Sequence, residues 1–179
     1  METVGLIVGL FAVGLFLLSY LQKRRGVIVV LNLSSRVLYI VQYILLGAIE
    51  GAVLDIWGAI SAFFAQRFDG KKLKWLKITL FAVINVAIVI SGIVLYENIF
   101  SLFPMIGILL QAGALWLKDE KYIRIVSMIG CPFWFTYNFI SAAYGSCIGD
   151  ALAFVSLGVS LVRYDILGVK EAEGLDNNG

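Results

Sequence analysis

The sequence predicts an all-α membrane protein: seven transmembrane helices arranged as two parallel three-helix-bundle repeats joined by an inversion helix, a 3+1+3 order. Three observations predict it. Of the 179 residues, 61% are hydrophobic and 15% charged, with a mean hydropathy of +0.95; soluble domains run about half apolar and about a quarter charged. Seven predominantly apolar segments punctuate the chain, and a bilayer crossing needs about 20 such residues. Lysines and arginines gather at alternate ends of these segments, the asymmetry that sets the orientation of membrane helices.

The first segment, residues 4–21, ends at Lys23-Arg24-Arg25. The residues before it, Met-Glu-Thr, lack the positive start of a secretion signal, so it reads as a retained span. The second, 27–49, is interrupted only by Asn32, Arg36 and Gln42. The third, 51–64, ends at Arg67 and is followed by Lys71, Lys72, Lys74 and Lys77. The fourth is 75–96 and the fifth 100–117. Lys118-Asp119-Glu120-Lys121 and Arg124 lead into the sixth, 123–144. The seventh, 147–162, ends at Arg163-Tyr164-Asp165, and a polar, glycine-containing tail follows Ile166. Several connections are only a few residues long, which makes neighbouring helices antiparallel hairpins. The chain divides into a first repeat (1–69), a linker helix (70–97), a second repeat (98–165) and a cytoplasmic tail (166–179).

With the amino terminus outside and the carboxyl terminus in the cytoplasm, every one of the 14 Lys and Arg residues except Arg36 lies inside, and the outer loops carry Glu50 and Glu97. The expected location is the cell inner or plasma membrane, with multiple passes and the lipid bilayer as the first partner. A net charge of +2 and a pI near 8.5 are no basis for nucleic-acid binding. Self-association into a homo-oligomer stays open.

The chain has no histidine, hence no Ser–His–Asp triad and no Cys/His zinc cluster. Cys131 and Cys147 are 16 residues apart, about 24 Å on one helix, too far for a disulfide; they read as small buried apolar groups. Glycines 5, 9, 14, 107 and 113 read as close-packing surfaces, since no phosphate-loop pattern surrounds them. No cofactor and no enzymatic activity are expected.

Sliding the chain on itself by 96 residues lays 21–69 over 117–165 without a gap. Tyr39, Gln42 and Tyr43 then lie over Phe135, Asn138 and Phe139, and Gln66-Arg67-Phe68-Asp69 over Val162-Arg163-Tyr164-Asp165. Identities are few; the correspondence is one of charge clusters, helix ends and aromatic positions. Because the fourth helix reverses the chain between them, the two repeats are parallel, related by an axis along the membrane normal.

In this order and length the chain resembles the SWEET and PQ-loop superfamily, and within it the bacterial inner-membrane YgjV family. Pro132-Phe133-Trp134-Phe135-Thr136-Tyr137-Asn138 is similar to the Trp-x-x-Tyr of the sixth helix, and Asp150 stands about where sugar-transporting relatives keep a substrate-facing asparagine. Asp55 stands near the equivalent place in the third helix, one residue off the ungapped register. The resemblance implies a small-solute carrier with a central site between two halves. The Pro-Gln pair is absent (Met105 follows Pro104), and both prolines, Pro104 and Pro132, lie in the second half.

An ionisable side chain at the bilayer centre costs about 2.5–3.5 kcal/mol and needs a partner or a watery cavity. Arg36 is 11 residues beyond Arg25, about 16 Å along the axis, and Asp55 is 12 before Arg67, about 18 Å. Equal depth on consecutive antiparallel helices predicts an Arg36–Asp55 pair, either a structural lock or part of a solute cavity. Asp150, 13 residues before Arg163 and so about 20 Å up, leaves three readings open: an outer helix-start residue, a sharer of Arg36, or a desolvated carboxyl that exchanges a proton during transport. Gln42 and Asn138, near Tyr39, Trp134 and Tyr137, suit a small polar solute, or equally act as amide bridges between helices. The expected solute-contacting set is Arg36, Gln42, Asp55, Trp134, Tyr137, Asn138 and Asp150, its solute small and polar. The alternative is a non-transporting scaffold or assembly protein with a closed structural Arg–Asp core.

Overall fold

A computed structural model describes residues 2–20, 25–68, 74–117 and 119–166. Among these there are seven α-helices and no strand: α1 (Glu2–Tyr20), α2 (Arg25–Leu46), α3 (Ile49–Arg67), α4 (Lys74–Val94), α5 (Leu102–Ala114), α6 (Glu120–Ile140) and α7 (Tyr144–Ser160). A 3-10 turn, Ile99–Ser101, precedes α5, and a π-helical turn, Leu161–Ile166, extends α7. The basic residues Lys23, Arg24, Lys71, Lys72 and Lys118, and the tail beyond Ile166, lie outside the described residues. Two helices, Lys74–Val94 and Tyr144–Arg163, are long and apolar enough to cross a membrane; Thr3–Phe16, Leu33–Leu46 and Ile99–Ala114 are shorter apolar stretches.

Burial runs opposite to that of a soluble protein. Phe11, Val30, Val83, Ile93 and Val155 face outward, whereas Ser35, Gln42, Asp55, Ser61, Asn138 and Ser146 are buried. Polar groups turn inward because they find partners only there. Trp116 Nε1 donates to Ser61 Oγ at 2.9 Å, which pins the end of α5 to α3, and Trp57 Nε1 donates to Ser91 Oγ at 3.0 Å, which pins α3 to α4. The apolar core around Tyr43, Leu54, Ile88, Ile108, Trp134 and Tyr137 fills the space between.

The main contacts close a ring: α1 on α2, α2 on α3, α3 on α5, α5 on α6, α6 on α7, and α7 back on α1. Helix α4 packs against α3 and α5. The α1–α7 seam is tight because two glycines meet there; a methyl group at Gly145 would lie 2.6 Å from Gly9 Cα.

Helices α2 and α6 end before the apolar pattern does, at 46 and 140 rather than 49 and 144. Each is stopped by a left-handed residue, which breaks the helix whatever the hydropathy of its neighbours. Gly47 has φ 76° and Ala142 φ 55°. The residues after them match too, Ala48 at φ −82°, ψ 62° and Ala143 at φ −82°, ψ 57°. Ala48 N donates to Tyr43 O at 2.9 Å and Ala143 N to Asn138 O at 2.8 Å. The two turns are therefore conformational copies at a spacing of 95 residues, one less than the ungapped sequence offset, and Asp55 and Asp150 occupy the same position after each. A left-handed alanine costs about 1 kcal/mol that glycine does not. Ala142→Gly is expected to stabilise by up to about that amount, and Gly47→Ala to destabilise similarly; thermal midpoints in detergent measure both.

Candidate functional site

Asp55 and Asp150 are each the seventh residue of their helix, about 9 Å from its start, so neither is a helix-start residue. Both turn into one cavity of about 300 Å³. Its walls are built in pairs at the spacing set by the turns: Arg36 with Cys131, Tyr39 with Trp134, Tyr43 with Asn138, Asp55 with Asp150, Phe16 with Gln111 and Ala62 with Leu157. Gln66 and Ser127 line its far end, beside Arg67 and near Arg124. At that end of the bundle Arg124 Nη1 pairs with Asp165 Oδ2 at 2.9 Å.

The paired positions are chemically unequal. Arg36 Nη1 donates to Asp55 Oδ1 at 2.6 Å, the contact expected from their equal depths. Cys131 stands at the matching place opposite Asp150, so Asp150 instead accepts from Asn138 Nδ2 at 2.6 Å. Arg36 makes no ion pair with Asp150; among the described residues its carboxylate partner is Asp55. One carboxylate is thus matched by a cation and the other by a neutral amide.

Of the seven expected solute-contacting residues, Arg36, Asp55, Trp134, Asn138 and Asp150 line the cavity. Gln42 and Tyr137, also a pair at the spacing of 95, hold it shut on one side. Each reaches the third residue of an opposing helix: Ser146 Oγ of α7 donates to Gln42 Oε1 at 2.8 Å, and Gly51 N of α3 donates to the Tyr137 hydroxyl at 2.9 Å. The residues just before α3 and α7, Ala48 and Ala143, have no capping side chain, so first-turn N–H groups need outside acceptors. Tyr137→Phe removes one such acceptor from a buried site and is expected to cost about 1–3 kcal/mol, read as a lowered unfolding midpoint.

Beyond these contacts lies a second chamber of about 390 Å³, bounded by both turns and the α4–α5 connection. Glu50 and Glu97 are its charged lining residues. Ser101 Oγ donates to Glu50 Oε1 at 2.6 Å and accepts from Glu97 N at 3.1 Å. The rings of Tyr43, Trp134 and Tyr137, with centroids 6.2–6.3 Å apart, stand between the two chambers. Tyr43 and Cys131 join the cavity without being among the expected residues; the spacing of 95 rather than 96 finds them, from Asn138 and Arg36, whereas Phe16 and Gln111 pair only with each other and carry no such signal. Among the described residues no cluster of His, Cys, Asp or Glu could hold a metal ion.

An all-helical ring with an apolar exterior and a polar, carboxylate-lined interior defines a helical membrane protein. The chain belongs to the YgjV family of bacterial inner membrane proteins, whose model matches residues 3–166. No curated protein and no solved structure matches it.

Proposed function

We propose that this protein is a small-solute carrier or facilitator of the bacterial inner membrane that works by alternating access. In this reading all seven helices cross the bilayer, with the amino terminus outside and the carboxyl terminus in the cytoplasm. Helices α1–α3 and α5–α7 are parallel repeats about an axis along the membrane normal, and α4 is the inverting linker, as in the SWEET and PQ-loop superfamily. The observation that carries the proposal is the paired lining of the central cavity at one constant spacing. A cavity on the axis between two like halves is where carriers of repeat architecture bind solute. The helix ring supports the same symmetry, because the α1–α7 contact is the counterpart of the α5–α3 contact.

The conformation is then inward-facing. The cavity runs toward the ends that carry Arg67 and Arg124, the cytoplasmic side by the positive-inside rule. The Gln42–Ser146 and Tyr137–Gly51 bonds, the glycine seam and the aromatic trio close the outer side. Outward opening requires both bonds to break together, since each joins one half to the other.

A solute screen by thermal shift, followed by uptake of each stabilising solute into proteoliposomes, tests the proposal. A bound solute at 100 times its Kd stabilises by about 2.7 kcal/mol. Saturable uptake of a stabilising solute is the expected result. Stabilisation without flux overturns the carrier reading and leaves the scaffold with a closed Arg–Asp core.

A further inference from the structure

We propose that the central cavity takes a small organic monocation, an ammonium-bearing amine seated on Asp150. This names a solute class for the carrier proposed above, but the binding claim stands on its own observations.

The first is the inequality of the two carboxylates. Arg36 is held by Asp55 at 2.6 Å, and it is the basic residue of the cavity lining. Asp150 faces the same space with an amide hydrogen bond as its partner. A carboxylate among apolar helices draws a counter-charge, and here the solute supplies it.

The second is Asn138, 1% exposed. Its Nδ2 is engaged by Asp150, and its Oδ1 has no hydrogen-bond partner in the protein. A buried amide oxygen without a partner is costly. Asn138 lines the same cavity as Asp150, and a small turn of its amide would bring this oxygen beside the carboxylate as a second acceptor, so the pair suits a group with several N–H donors and positive charge. An anion would meet the Asp150 carboxylate instead.

The third is the wall. Tyr39, Tyr43 and Trp134 line the cavity, and aromatic faces attract alkylammonium cations. A volume of about 300 Å³ lies at the small end of small-molecule sites. The fourth is the outer chamber, whose charged lining residues are Glu50 and Glu97; a mouth of one sign concentrates ions of the other.

The test uses the full chain in detergent and matched probes. These are 3-aminopropan-1-ol and 6-aminohexan-1-ol, each against the diol of the same length, together with 6-hydroxyhexanoate, sodium and potassium. The expected result is a saturable rise in thermal midpoint with at least one amine, at an affinity tenfold or more above its diol. Asp150→Asn is expected to lower that affinity at least tenfold and to erase the preference over the diol. A diol or the hydroxyacid binding as well as the amine overturns the inference. So do equal stabilisation by sodium or potassium, no stabilisation by either amine, and an Asp150→Asn protein that keeps the preference. If Asp150→Asn does not fold, the comparison of amine with diol in the unaltered protein decides the question. Amine binding without uptake of the labelled amine upholds this inference and overturns the carrier.

Discussion

Arg36→Ala is expected to lower the unfolding free energy by about 3–5 kcal/mol, the usual consequence of removing one partner from a buried ion pair. The cause is Asp55, 6% exposed, which loses the guanidinium 2.6 Å away and is left as a buried carboxyl without a counter-charge. Replacing both members with leucine removes the stranded carboxyl. Arg36→Leu with Asp55→Leu is therefore expected to recover most of the stability, since apolar replacement of a buried pair is often neutral or better. Thermal midpoints of Arg36→Leu, Asp55→Leu and the double variant form the cycle that separates the pair from its surroundings. The same variants divide the two functional readings. If the pair contributes to the solute cavity, the recovered double variant takes up no solute. A double variant that transports at the normal rate makes Arg36 and Asp55 a structural lock.

Gly145→Ala carries the second large effect. Its new methyl group would lie 2.6 Å from Gly9 Cα and 3.2 Å from Gln42 Nε2. Backbone has nowhere to move except apart, so α1 and α7 must separate at the end where these glycines meet, the outer side in the proposed orientation, at a cost of about 1–3 kcal/mol for overpacking. The adjacent bond from Ser146 to Gln42 is strained at the same time. The expected result is a protein biased away from outer closure. The buried Cys147, two residues on, reports it directly. In right-side-out vesicles a membrane-impermeant maleimide is expected to label Cys147 at least tenfold faster in Gly145→Ala than in the unaltered protein, with Cys131→Ser in both backgrounds. Unchanged labelling would mean that the glycine seam does not hold the outer side closed.

The Arg36–Asp55 contact was legible in the sequence because depth along a helix is simple arithmetic: rise per residue and the nearest basic cluster set it. The partner of Asp150 was not. The ungapped offset of 96 matches Asn138 with Gln42, whereas the turn geometry matches it with Tyr43 and puts Asn138 beside Asp150. The difference is one residue, and on a helix one residue is about 100° of rotation. That rotation decides whether a side chain faces the cavity or the next helix. It is why Gln42 and Tyr137, grouped with the solute contacts by composition, hold the two sides of the ring together instead. Ala142 shows the same limit. Nothing in its identity announces a left-handed conformation, and the helix it ends stops four residues, about one turn, short of the apolar pattern.

The sequence by itself determined that this chain is helical, that it belongs to an apolar medium, and which few polar residues it must hide, because hydropathy and helix rise act locally along the chain. Only the tertiary structure decided which hidden group meets which. Pairing depends on the rotation of each helix about its axis, and that rotation is set by left-handed turns and by the close approach of Gly9 and Gly145. Those contacts leave Asp55 with a cation and Asp150 with an amide facing the same cavity.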